Sequence, residues 1–205
     1  MWRSRTSSAC LVALPGLLLA AAGLLHPHHL DADTAQRWWM LHVAGLMVFP
    51  LVGLALIWLV RGRVDPLAWL VRVTAYVYAT FYSALDVVSG IAAGYVTDQL
   101  GPGVDRPEEV TLLFRVGTPL GEVGSYALLV CGVVLAVDQV RRYGLSSSPG
   151  FLLVPGAWLV HSDHIFAPAG VAGMVLVSGA TGWLAWVAGD PRRPTRNSSA
   201  RRATL

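Results

Sequence analysis

Residues 151–189 form an almost unbroken apolar run, interrupted near its middle by LVHSDHIFAPAG at residues 159–170. One helix over the whole run would be about 58 Å long, roughly twice the hydrocarbon thickness of a bilayer. The run therefore predicts two helices, divided at residues 162–168. Pro168 suits the first turn of the second helix, where its missing N–H costs nothing. Four further apolar runs precede this pair, at about residues 8–25, 37–60, 67–95 and 116–140. With helices at about 150–164 and 167–188, the expected fold is all-α, a polytopic bundle of six transmembrane helices.

Composition supports the bilayer as the solvent. Hydrophobic residues make up 55% of the 205 and charged residues only 13%, against about 25% charged in soluble domains. The net charge of +3 comes from arginines, with no lysine in the chain, and most of them flank apolar runs. That placement speaks for membrane orientation rather than nucleic acid. An arginine-only basic set is associated with GC-rich bacterial genomes, so the expected location is a bacterial inner or plasma membrane. Neither a P-loop, a nucleophile elbow, a dinucleotide-binding glycine pattern nor a nucleic-acid motif occurs. Cys10 and Cys131 lie in separate runs and define no disulfide framework.

Charge placement sets the expected topology. With six helices and both termini in the cytoplasm, Arg3, Arg5, Arg61, Arg63, Arg141, Arg142 and the tail arginines all fall inside. Only Arg37, Arg106 and Arg115 fall outside, whereas five helices would export the Arg-rich tail. Residues 1–189 are read as one transmembrane domain and residues 190–205 as a disordered, basic cytoplasmic tail. The basic start and apolar core of the first run also fit a signal peptide. An uncleaved helix is favoured, because more membrane segments follow. Asp105 with Glu108 resembles a capping box, which predicts a short interfacial helix ahead of the fourth span.

On this topology the polar residues form a one-sided layer. Counted at about 1.5 Å per residue from the outer boundary, His42 lies about 6 Å deep, Glu122 about 10 Å and Asp86 about 13 Å. His161 matches His42, and His164 lies nearer the surface. His26, His28, His29, Asp31 and Asp33 cap the outer end of the first helix. A charge near mid-bilayer costs about 2.5–3.5 kcal/mol on insertion scales, so such groups face the bundle interior and find partners. Tyr78, Tyr82, Asp86 and Ser89 recur at helical spacing, and Thr118, Glu122, Ser125 and Tyr126 share one face.

His161 and His164, spaced i,i+3, share a face if the fifth helix persists through Ser162. The expected metal ligands are His42, His161 and His164, holding Zn, Cu or Fe. Asp86 and Glu122 are expected to complete or orient the shell or act as a base, with Tyr82 as a supporting or redox partner. The bland alternative leaves these histidines at the interface, hydrogen-bonded to carboxylates and water. Haem held by His42 and His161 is a second cofactor reading. The HPHH stretch is read as a solvated loop, or as an outer metal trap or an extension of the site. The function expected from this layer is a metal-dependent membrane enzyme, a hydrolase or oxidase, acting on a lipid or small lipophilic substrate. Its rivals are a proton-coupled transporter titrating at Asp86 and Glu122, a b-type haem protein and a structural membrane subunit.

Overall fold

The computed structural model describes residues 4–103 and 107–190, and they are helical almost throughout, with no strand among them. Helix α1 spans Arg5–Leu25 and α2 spans Ala35–Trp58. Helix α3 (Pro66–Leu85) passes without a break through a π-helical segment, Asp86–Ala92, into α4 (Ala93–Leu100). Helix α5 (Glu108–Tyr143) is followed by a 3-10 segment, Gly144–Leu152, then α6 (Leu153–Asp163) and α7 (Ala169–Ala188). Five helical stretches are long and apolar enough to cross a membrane.

Among the described residues, six helical segments pack against their neighbours in chain order and close into a ring. Gly53 of α2 packs on Ala75 of α3, while Trp38 and His42 of α2 meet Ser89 and Gly90 on the same continuous helix. Helices α3 and α5 cross head to tail in the same way: Gly117 meets Ser89, Gly121 meets Leu85 and Gly124 meets the Tyr82 backbone. Gly132 packs on Leu153, Gly156 on Gly173, and Gly16 of α1 on Ser178 of α7, which closes the ring. Small residues at these crossings let backbones approach closely, the usual solution where apolar solvent removes the hydrophobic drive for association.

The burial pattern is that of a lipid-facing bundle. In α1 the buried positions Val12, Pro15, Gly16, Leu19, Ala20 and Gly23 follow a helical stripe of mostly small side chains. The opposite face carries the exposed Leu11, Leu14, Leu17, Leu18 and Leu25. Large apolar side chains point outward from α2 and α5 as well, among them Met47, Leu54 and Val116. An aqueous surface would not tolerate so continuous a patch.

The chain departs from expectation at three local points. The short interfacial helix is not a separate element, because α5 is continuous from Glu108; Asp105 lies outside the described residues, as does the tail from Pro191. The fifth pass is α-helical only from Leu153 and begins as a 3-10 coil. Helix α6 stops at Asp163, and His164 takes φ 52° and ψ −127°. The expected shared face of His161 and His164 is therefore lost, since the chain turns between them. Pro168 sits at the N-cap of α7, as its position suggested.

The end of the bundle that holds Ser4 and Asp190 carries a charged clasp. Arg63, in the α2–α3 turn, donates to Asp65 at 2.8 and 2.9 Å and to Asp138 of α5 at 2.8 Å. Arg142 approaches Asp138 at 3.6 Å and Asp65 at 3.5 Å. The main partner of Asp138 is thus Arg63 from another turn, rather than its sequence neighbours Arg141 and Arg142. These bonds hold the Asp65 carboxyl below the ordinary carboxylate range, with the Arg63 hydrogen bonds the largest cause. Arg5, at the same end, donates to the Trp186 carbonyl at 3.1 Å and pairs with Asp190 at 3.6 Å.

Candidate metal centre

The π segment places the polar stripe of the third pass. Four residues of α-helix overshoot one turn by about 40°, so an i,i+4 stripe drifts around the helix. The wider i→i+5 turn from Asp86 to Ala92 reverses that drift. Tyr78, Tyr82, Asp86, Ser89, Gly90 and Gly94 consequently all face inward and are buried. A Cβ on Gly90 would collide with the His42 ring. Gly90→Ala is thus expected to push His42 out of place and destabilise the fold by about 1–3 kcal/mol. Thermal unfolding in detergent checks this, with the neighbouring exposed Val87→Ala as a control that stays near wild type.

Three histidines converge at the end of the bundle opposite the clasp. His26 follows α1, His42 lies on α2 and His164 follows α6; one ligating atom from each lies within 4.8 Å of the others. Each ring is fixed through a second nitrogen or a neighbour. His26 donates Nδ1–H to the Pro27 carbonyl at 2.7 Å, and His42 donates Nδ1–H to the Trp38 carbonyl at 2.7 Å. A carbonyl only accepts, so in the neutral rings both Nε2 atoms carry lone pairs, and these face each other at 3.4 Å. His164 Nδ1 is hydrogen-bonded to Tyr82 Oη at 2.6 Å. Trp38 and Phe166 pack edge-on against His26 with centroids 4.7 Å away, giving the group an apolar collar. Burial holds His26 below the ordinary imidazole range, which favours its neutral form.

Asp86 lies beside this group, with Oδ1 at 3.8 Å from His42 Nε2. It is 1% exposed, and neither carboxylate oxygen has a hydrogen-bond partner among the described residues. The lone pairs of His26 Nε2 and His42 Nε2 and an unpartnered carboxylate therefore meet beside the His164 ring, with no donor between the two nitrogens. Such a set of acceptors is costly unless a cation neutralises it. The residues fit a metal ion in a second respect: every ring is oriented by a carbonyl or hydroxyl, as ligating histidines commonly are.

The sequence-derived residues divide accordingly. His42 and His164 fall in the three-histidine group, Tyr82 orients His164, and Asp86 stands alongside. His161 goes elsewhere: its Nδ1 bonds Ser125 Oγ at 2.9 Å, and its ring lies 4.3 Å from that of Tyr126. Glu122, one turn before Ser125, is exposed to the same space as His161. Both line a cavity of about 720 Å³ that also reaches Trp38, His42, Tyr82 and His164. His26, expected within the HPHH loop and outside the ligand set of His42, His161 and His164, takes the place expected of His161. The available signal was its place at the start of HPHH, directly after the first apolar run and at the same end as His42.

His164 is held at positive φ, where a non-glycine residue costs about 1–3 kcal/mol. Its ring occupies a strained backbone position next to Tyr82 and His42. His164→Gly is therefore expected to be more stable than His164→Ala by about 1 kcal/mol, the reverse of the usual helix order. Denaturation of the two variants in the same detergent measures the difference, and equal stability would remove the strain.

The fold and site together define an all-helical bundle with membrane-span-capable helices and a three-histidine group fit for a metal ion. Comparison of the chain with family models, curated proteins and solved structures finds no match.

Proposed function

We propose that this protein is a metal-dependent integral membrane enzyme whose ion is held by His26, His42 and His164. The observation that carries the reading is the convergence of the three oriented imidazoles and the unpartnered Asp86 beside a cavity of about 720 Å³. Zn, Cu and Fe all accept imidazole, and the ligand set does not choose among them. A bound ion would supply Lewis-acid activation of water or redox chemistry at the cavity wall. Asp86 offsets its charge and is placed to take a proton, Tyr82 holds the His164 ring, and Glu122 and His161 face substrate from the other wall. The apolar outer surface supports a lipid or small lipophilic substrate. A point of convergence suits an ion better than a porphyrin, which needs two histidines opposed across its plane.

This reading includes six membrane spans, with the 3-10 segment and α6 forming the fifth. Both termini and the basic tail from residue 190 lie in the cytoplasm of a bacterial plasma membrane. Its support is the clustering of Arg5, Arg61, Arg63 and Arg142 at the end opposite the histidines. Elemental analysis of protein purified in detergent and exposed to Zn, Cu or Fe is expected to give one ion per chain. Protein that retains no ion under these conditions would turn the reading toward its rival, a proton-coupled transporter. The unpartnered oxygens of Asp86 favour that rival; the leucine-rich packing between Asp86 and the charged clasp, with Leu128 and Leu135 buried, does not.

A further inference from the structure

The three-histidine group stands between two cavities. The larger is lined by His42 and His164 but not by His26. A second cavity of about 400 Å³, at the loop after α1, is lined by His26 but by neither of the other two. Its remaining polar wall is His28, His29, Asp31, Thr34 and Arg37. His28 and His29 are exposed, and the His28 ring stacks on Phe166 at 5.7 Å, the same side chain that packs on His26. The loop is built rather than slack: Thr34 Oγ1 donates to the His29 carbonyl at 2.7 Å, and Thr34 N donates to Asp31 Oδ1 at 2.9 Å. Hydrogen bonding to Thr34, its side chain first and then its backbone N–H, holds the Asp31 carboxyl below the ordinary carboxylate range.

We propose that the HPHH loop is the loading vestibule of the metal centre: His28 and His29 capture a divalent transition-metal ion and pass it to His26 from the loop side. The inference rests on the three-histidine reading above and adds to it the route of the ion. A hydrated cation sheds water in steps, and imidazoles met along the way replace the lost ligands one at a time. Asp31 attracts the ion and Arg37 repels it, so capture relies on the two imidazoles more than on net charge. With loading assigned to the loop, the larger cavity is left to substrate, and its Glu122 and His161 are not needed for metal entry.

The test is stopped-flow binding of Co²⁺ to the full-length protein in detergent, followed by the visible absorption of the bound ion. His28→Ala/His29→Ala is expected to slow association about tenfold, within the range by which a charged or ligating approach path raises on-rates. The equilibrium dissociation constant should stay within about twofold, because a vestibule lowers the barrier in both directions. Both positions are exposed, and unchanged thermal unfolding confirms an intact fold. An unchanged association rate overturns the vestibule, as does slowing by Glu122→Gln with none by the loop variant. A dissociation constant weakened as much as the rate also overturns it, since His28 or His29 would then be a resident ligand. Wild-type protein that binds no Co²⁺ at all fails the three-histidine reading itself, which separates the two failures.

Discussion

His42→Ala is expected to lower metal affinity on the order of 100-fold or more, while His161→Ala leaves it near wild type. The contrast follows from where the two rings go. His42 Nε2 faces His26 Nε2 at 3.4 Å and Asp86 at 3.8 Å, so it stands between a second imidazole and the carboxylate. His161 is engaged by Ser125 and Tyr126 on the far wall of the cavity. Titration with Zn²⁺ or Co²⁺ by calorimetry reads both variants directly. Should His161→Ala weaken binding as much as His42→Ala, the ion would sit within the larger cavity and the three-histidine group would be structural. Asp86→Asn supplies an internal check, since it keeps the shape of the carboxylate but removes the charge that offsets the ion.

The largest expected effect on stability lies at the other end of the bundle. Asp138 is 3% exposed and takes its best hydrogen bonds from Arg63. Removing one member of a buried pair leaves an uncompensated charge, so Arg63→Ala is expected to destabilise the protein by about 3 kcal/mol. Arg142, 3.6 Å from Asp138, compensates too little to prevent this. The double variant Arg63→Ala/Asp138→Asn should recover part of the loss, because the orphaned charge goes with it. Thermal or denaturant unfolding in detergent gives both values. A loss below about 1 kcal/mol in the single variant would mean the clasp behaves like an exposed ion pair.

The helices themselves were legible because their signal is local. Length and apolarity fix where an apolar helix lies: each of the six expected segments is largely helical, although α5 begins eight residues before the expected 116. The division of residues 151–189 was read correctly from length alone, as was Pro168 at the start of the last helix. The stripe of Tyr78, Tyr82, Asp86 and Ser89 was also visible, since a helical period projects onto one face whether or not the partner helix is known. The π segment that keeps this stripe inward left no such mark, because one wider turn changes the period over too few residues to detect.

The membership of the metal group was not legible. His161 and His164 are three residues apart, and an unbroken helix would have made them one site. The turn at His164 separates them, and its cause is tertiary: α6 must stop there for α7 to return along α1. His26 lies sixteen residues from His42 and 138 from His164 along the chain; the packing of α1 on α2 brings it to the first, and the closing of α1 against α7 brings it to the second. Sequence alone determined that the chain forms apolar helices with its histidines gathered toward one end, because depth follows from counting residues along each helix. Which of those histidines meet was decided by the ring of six passes, because rotation about a helix axis and the angle of a turn depend on contacts distant in sequence.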